Sequence, residues 1–137
     1  MLKRFGVSLE EDLLEDFDSY IRSRSYTNRS EAIRDLIRDT LIRREWLDGG
    51  AEVSGVVVLV YNHHQMDLSQ RLTDSQHHHH TSIISTLHVH QDEHNCMEII
   101  VLRGRAADVQ HIADSLISMR GIKHGRFIRT TSGRDYT

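Results

Sequence analysis

Proline is absent from this chain, and cysteine occurs once, at Cys96. Without proline there is no proline-rich linker or repeat. A single cysteine excludes an internal disulfide framework and suits a reducing cytoplasm. No apolar run approaches the roughly 18 residues needed to span a membrane. The start, Met1-Leu2-Lys3-Arg4-Phe5-Gly6, leads into acidic residues and not into an apolar signal core. The expectation is a cytoplasmic protein with no membrane partner. The chain also lacks a His-Glu-x-x-His helix, a glycine-rich phosphate loop and a serine in a nucleophile-elbow pattern, so no catalytic residues are assigned and no enzyme is expected.

Metal-binding side chains gather around the one cysteine. His88 and His90 lie two apart in a β-type run, so their side chains share one face of a strand. The polar stretch Gln91-Asp92-Glu93-His94-Asn95 suits a turn. A following strand from Cys96 to Leu102 brings the sulfur back beside the imidazoles. Two nitrogens and one soft sulfur favour a late transition metal over magnesium or calcium, with zinc, copper, nickel and cobalt all open. Upstream, His77-His78-His79-His80 offers a fourth ligand. Adjacent helical residues point about 100° apart, so the four cannot all serve one ion. Glu93 and Glu98 are the nearby carboxylates, and neither stands out as a general base.

At 137 residues with 38% apolar side chains, the chain fits one compact domain or two very small ones. Phe5-Gly6-Val7-Ser8-Leu9 alternates as a short strand, with Arg4, Gly6 and Ser8 opposite Phe5, Val7 and Leu9. Leu13, Leu14, Phe17 and Ile21 then keep helical spacing. Ser25-Tyr26-Thr27 interrupts, and Asn28-Arg29-Ser30-Glu31 resembles a capping box that opens a second helix with Ile33, Leu36, Ile37, Thr40 and Leu41 inward. Residues 45–52 read as a linker, with Gly49-Gly50 ending the helix. Strands are expected at 53–61, 82–90, 96–102 and 124–130, and helices at 66–77 and 108–120. The pattern is βαββαβ, a ferredoxin-like split arrangement. The expected domains are 1–46 and 53–137, and the class is α+β.

Net charge is −3, so the molecule is no polycation. Residues 1–44 carry nine Lys/Arg and nine Asp/Glu, yet the acids cluster at 10–18, which leaves room for a basic face. The same charges also describe ordinary solvated helix surfaces. A lone strand of five residues needs a partner, most simply the same strand of a second protomer. The resulting ribbon is narrow enough for a DNA major groove. The helix start at Asn28-Arg29-Ser30 suits a backbone phosphate. A small dimerisation module without nucleic acid is the alternative.

The motifs Asn28-Arg29-Ser30-Glu31-Ala32-Ile33-Arg34-Asp35, Gln76-His77-His78-His79-His80, Leu87-His88-Val89-His90, Asp108-Val109-Gln110-His111 and Arg120-Gly121 together resemble the NikR family of nickel-responsive transcriptional regulators. The resemblance runs from residue 2 to about 128. It implies an N-terminal ribbon-helix-helix domain joined to a C-terminal ferredoxin-like (ACT-like) metal domain. It implies a homotetramer, a dimer of dimers, that binds a palindromic double-stranded DNA operator and represses nickel uptake genes. The implied ligands of a square-planar Ni(2+) site are His88, His90 and Cys96 of one protomer with His77 of another. The implied base-reading positions are Arg4, Gly6 and Ser8. Gly6 departs from the pattern, since a relative has a hydroxyl-bearing residue there and glycine has no side chain to read a base. A second cation site would use Glu31 and Asp35. The alternatives are a regulator of the same build that answers to copper or zinc, and a metal storage or carrier protein.

Overall fold

The computed structural model describes residues 1–79 and 81–136. The chain divides into two compact units, Met1–Thr40 and Leu41–Thr137.

In the first unit, residues 1–10 form no regular element. The alternating segment there finds no strand to pair with inside one chain, and a strand is defined by its hydrogen-bonded neighbour. Helix α1 (Glu11–Ser23) has Glu11 and Asp12 in its first turn and Arg22 in its last, which suits the helix dipole at both ends. Ser25, at φ 61°, makes the turn. Helix α2 (Arg29–Leu47) follows, and the Asn28 side-chain oxygen accepts the Glu31 N–H at 2.9 Å as an N-cap. Ile21 and Ala32 are buried, whereas Leu13, Leu36, Ile37 and Leu41 stand exposed.

Helix α2 runs past the expected start of the linker. Its last turn packs within the second unit. Trp46 Nε1–H donates to the Thr130 carbonyl at 3.0 Å, and its ring meets Phe127 edge-on at 5.3 Å. The Tyr136 hydroxyl donates to Glu45 at 2.7 Å. The connection is a tight turn, not a loose linker. Ala51 N–H bonds the Asp48 carbonyl, and Ala106 and Ala107 N–H bond the carbonyls of Ala51 and Gly49.

The second unit continues as β1 (Glu52–Asn62), α3 (Met66–His78), β2 (Ile83–His90), β3 (Asn95–Arg105), α4 (Ala106–Ile117) and β4 (Ile122–Thr130). The strands form one antiparallel sheet in the order β2-β3-β1-β4. This is the split βαβ arrangement that the sequence pattern predicts. Val53, Val57, Leu59 and Tyr61 of β1 and Cys96, Ile100 and Leu102 of β3 face Leu68 and Leu72 of α3 and Val109, Ile112, Ala113 and Leu116 of α4. Gly121, at φ 102°, turns the chain from α4 into β4, and an added Cβ would meet Gln65 at 2.8 Å, so only glycine fits. The opposite sheet face is apolar too. Val56, Val58, Val60, Met97, Ile99 and Val101 are half-buried there, while Leu87 and Ile128 are exposed.

Candidate metal centre and nucleic-acid interface

The strand register sets where the sequence-predicted ligands lie. His90 lies opposite Cys96, and His88 lies opposite Glu98. Directly opposed residues of an antiparallel pair share a face. Cys96, Glu98, Ile100 and Leu102 all point to the buried, helix-covered face, so His88 and His90 point the same way. They stay exposed because β2 is an edge strand. The two imidazole centroids are 5.4 Å apart. Cys96 is fully buried, and its S–H donates to the Tyr61 carbonyl at 3.6 Å. Burial pushes its pKa up and the nearby Glu98 carboxylate adds to the effect, while the Tyr61 side chain opposes it. Two nitrogens and one sulfur on one face fit a late transition metal. Among the described residues, no three His, Cys, Asp or Glu side chains of one chain are already arranged to hold an ion. The thiol must leave the Tyr61 carbonyl to become a ligand.

A buried polar group supports this face. Glu98 is only 7% exposed. One carboxylate oxygen accepts the Tyr61 hydroxyl at 2.8 Å, and the other accepts the Gln76 amide at 2.8 Å. Burial and the Glu98 carboxylate drive the Tyr61 pKa far up, so the phenol stays a donor. The Tyr61 ring stands edge-on to His88 at 6.1 Å. Through Gln76 the last turn of α3 is tied to the strand beside His88. Gln76 turns inward, and His77, about 100° further round the helix, is exposed. His78 and His79 stack edge-on at 5.0 Å. His80 lies outside the described residues.

The turn between His90 and Cys96 is built on Asp92. Its carboxylate accepts the N–H groups of His94 and Asn95, both at 2.8 Å, and the Asn95 amide at 2.9 Å. These bonds, the Asn95 side chain first, hold its pKa down at about 2. Because the folded pKa is depressed, this contribution is present above about pH 4 and is lost as pH falls through about 2. Asp92→Ala is expected to speed hydrogen exchange at the His94 and Asn95 amides. It should also weaken nickel binding, because the turn that opposes His90 to Cys96 loses its anchor. Amide exchange by NMR and a nickel titration check both.

In the first unit, Arg4, Gly6 and Ser8 are exposed. At Gly6 an added Cβ would meet nothing within 4 Å. Asn28 spends its side-chain oxygen on the helix cap. Arg29 grips Asp18 with two bonds of 2.8 Å, and this pair lowers the Asp18 pKa. Both side chains are thus engaged within the unit, while Ser30 stands exposed at the helix start. Glu31 pairs with Arg34. Asp35 accepts from the Tyr26 hydroxyl at 2.7 Å and from Arg38 at 2.8 Å. The two carboxylates are thus held by separate partners.

Sequence reasoning passes over Tyr61 and the structural part of Glu98. The available signal is the charge itself, a carboxylate on the inward side of an otherwise apolar alternation.

Comparison with known proteins identifies both segments of the chain. Residues 54–130 match the model of the NikR C terminal nickel binding domain. Residues 3–44 match the ribbon-helix-helix protein, copG family. A relative from Nitratidesulfovibrio vulgaris is 55% identical over 134 residues, 98% of this chain and 96% of its own length. One from Pyrococcus furiosus is 54% identical over 132 residues, 96% of each chain. One from Geotalea uraniireducens is 55% identical over 132 residues, 96% of this chain and 95% of its own. Each bears the name "Putative nickel-responsive regulator". With a copG-type ribbon-helix-helix segment followed by the nickel-binding domain over nearly its whole length, the chain belongs to the NikR family of nickel-responsive regulators.

Proposed function

We propose that this protein is a nickel-responsive repressor that binds a palindromic operator of nickel uptake genes as a homotetramer. The observation that carries the reading is the register that opposes His90 to Cys96 in a chain whose residues 3–44 match a ribbon-helix-helix model. In this reading His88, His90 and Cys96 hold the ion together with the partner subunit's His77. Bound nickel supplies a positive centre shared by side chains of two protomers. Glu98 and Tyr61 orient the inner face, and Gln76 fixes the last turn of α3, from which the exposed His77 serves the centre of a neighbouring protomer. Arg4 and Ser8 read bases, while the start of α2 holds phosphate.

Two separate uncovered apolar surfaces support a dimer of dimers. One is the open sheet face of the second unit, and the other is a groove of about 610 Å³ in the first. Two different isologous contacts on one chain generate a closed tetramer. No described helix is long and apolar enough to cross a membrane, and a free buried thiol suits the cytoplasm.

For nickel to control DNA binding, its affinity must differ between the DNA-competent arrangement and the others. A mobility-shift assay on the uptake promoter is expected to show a complex with nickel(II) and none without it. Equal binding in both conditions overturns the reading. Arg4→Ala is expected to weaken the nickel-loaded complex by about 1–3 kcal/mol.

A further inference from the structure

The last turn of α2 and the chain beyond β4 hold each other, and the proposed metal centre uses neither. Besides its bond to the Thr130 carbonyl and its edge-on contact with Phe127, the Trp46 ring lies under the Arg129 guanidinium, 5.5 Å from its centroid. Gln110 accepts from that guanidinium at 2.9 Å. Phe127 is seated over Gly55, where an added Cβ would meet its ring at 2.5 Å, so β1 is bare where the clamp lies.

Past β4, Gly133 turns the chain at φ 76°, and the Tyr136 N–H donates to the Gly133 carbonyl at 3.3 Å. The turn returns the Tyr136 hydroxyl to Glu45, to which it donates at 2.7 Å. The bond to this carboxylate, then burial, pushes the Tyr136 pKa up to about 12, so the phenol remains a donor. The second Glu45 oxygen is buried and has no hydrogen-bond partner among the described residues. A buried acceptor without a donor is costly. Loss of the Tyr136 bond would leave neither oxygen with a donor among the described residues and favour release of Glu45 to water.

Helix ends ordinarily fray, yet here the end is clamped by Phe127, Arg129 and Tyr136. The clamp matters because of what α2 connects. One unbroken helix runs from Arg29 to Leu47, with residues 29–40 in the first unit and 41–47 in the second. It has no glycine or proline to hinge it.

We propose that residues 131–136 form a strap that fixes the last turn of α2 to β4, and that Tyr136 and Trp46 are positioning residues through which nickel loading of the sheet unit reaches the DNA-binding segment. The inference rests on the nickel-dependent operator binding proposed above. With the strap closed, the last turn of α2 moves with β4. With it open, that turn frays and absorbs the change locally.

The test uses the full protein, nickel(II) and the uptake-promoter fragment. Tyr136→Phe loses only the hydroxyl, and Trp46→Phe keeps a ring without the N–H. By reciprocity, the DNA tightens nickel binding by the same factor with which nickel tightens DNA binding. In both variants the nickel titration without DNA is expected to match the parent, while that factor falls about tenfold. Amide exchange at Trp46 and Leu47 should speed up. A strap that only stabilises the sheet unit would lower the thermal midpoint and leave the factor as it is, so an unchanged factor in Tyr136→Phe overturns the inference alone. If the parent itself shows no such factor, the operator reading fails, and the strap's role falls with it.

Discussion

Cys96→Ala is expected to abolish the nickel–thiolate absorption band and the nickel-dependent operator complex together, while the fold survives. Cys96 is the chain's single cysteine, so no other thiolate can give a charge-transfer band. Its side chain is fully buried in the core of the sheet unit. Truncation to alanine removes one sulfur atom and costs about 1 kcal/mol, as small core deletions do. The metal loses a direct ligand, so affinity falls by more than the roughly 10–100-fold that removal of an outer-shell partner costs. A nickel titration followed by absorbance, with the thermal midpoint of the metal-free variant, separates lost ligation from unfolding. The same titration in the parent discriminates metals, since zinc gives no such band. A band that survives in the variant would place the site elsewhere.

The proton balance sharpens that result. Only a thiolate ligates, and burial raises the Cys96 pKa above its ordinary value. At neutral pH, nickel bound at Cys96 would therefore displace a proton from sulfur. Affinity should fall by about tenfold for each pH unit below neutrality. In Cys96→Ala the sulfur contribution to this slope disappears.

Much of the sheet unit is legible in the residues themselves. The apolar, β-branched runs Val56–Tyr61 and Ile99–Leu102 and the 3.6-residue spacing of Val109, Ile112, Ala113 and Leu116 announce strands and helix without tertiary help. The polar run from Gln91 to Asn95 marks the turn that opposes His90 to Cys96. The Glu98 network is harder to see, because Tyr61 and Gln76 lie 37 and 22 residues from it, and only the strand order joins them. The end of α2 misleads for a related reason. Residues 43–47 have ordinary helix propensity, and what holds Trp46 is Phe127 and Thr130 on the last strand. Arg29 shows the limit of charge patterns. Its position at a helix start suggests a phosphate, yet Asp18, one helix away, takes its guanidinium.

The second large effect is expected at the N-terminal segment. Phe5→Asp should leave the nickel band intact and abolish operator binding, through loss of the dimer. Phe5 is 72% exposed in a single chain, and Ile37 is 46% exposed. Phe5, Val7 and Leu9 line one groove with Leu14, Phe17, Ile33 and Ile37. A patch this apolar is not left to water in a stable protein. The alternation of residues 4–9 puts Arg4, Gly6 and Ser8 on the other side, so a second copy that covers Phe5 and Val7 leaves that side outward. Burial of a phenylalanine contributes about 1.5–3 kcal/mol, and a two-fold interface counts it twice, roughly 3–6 kcal/mol. At 1.4 kcal/mol per tenfold, its loss weakens association by more than about a hundredfold, before the cost of burying two carboxylates is added. Sedimentation should show that contact broken in Phe5→Asp while the contact through the sheet face persists, so a tetramer becomes a dimer. Retention of the tetramer and of operator affinity would show that residues 1–10 do not pair across a two-fold axis.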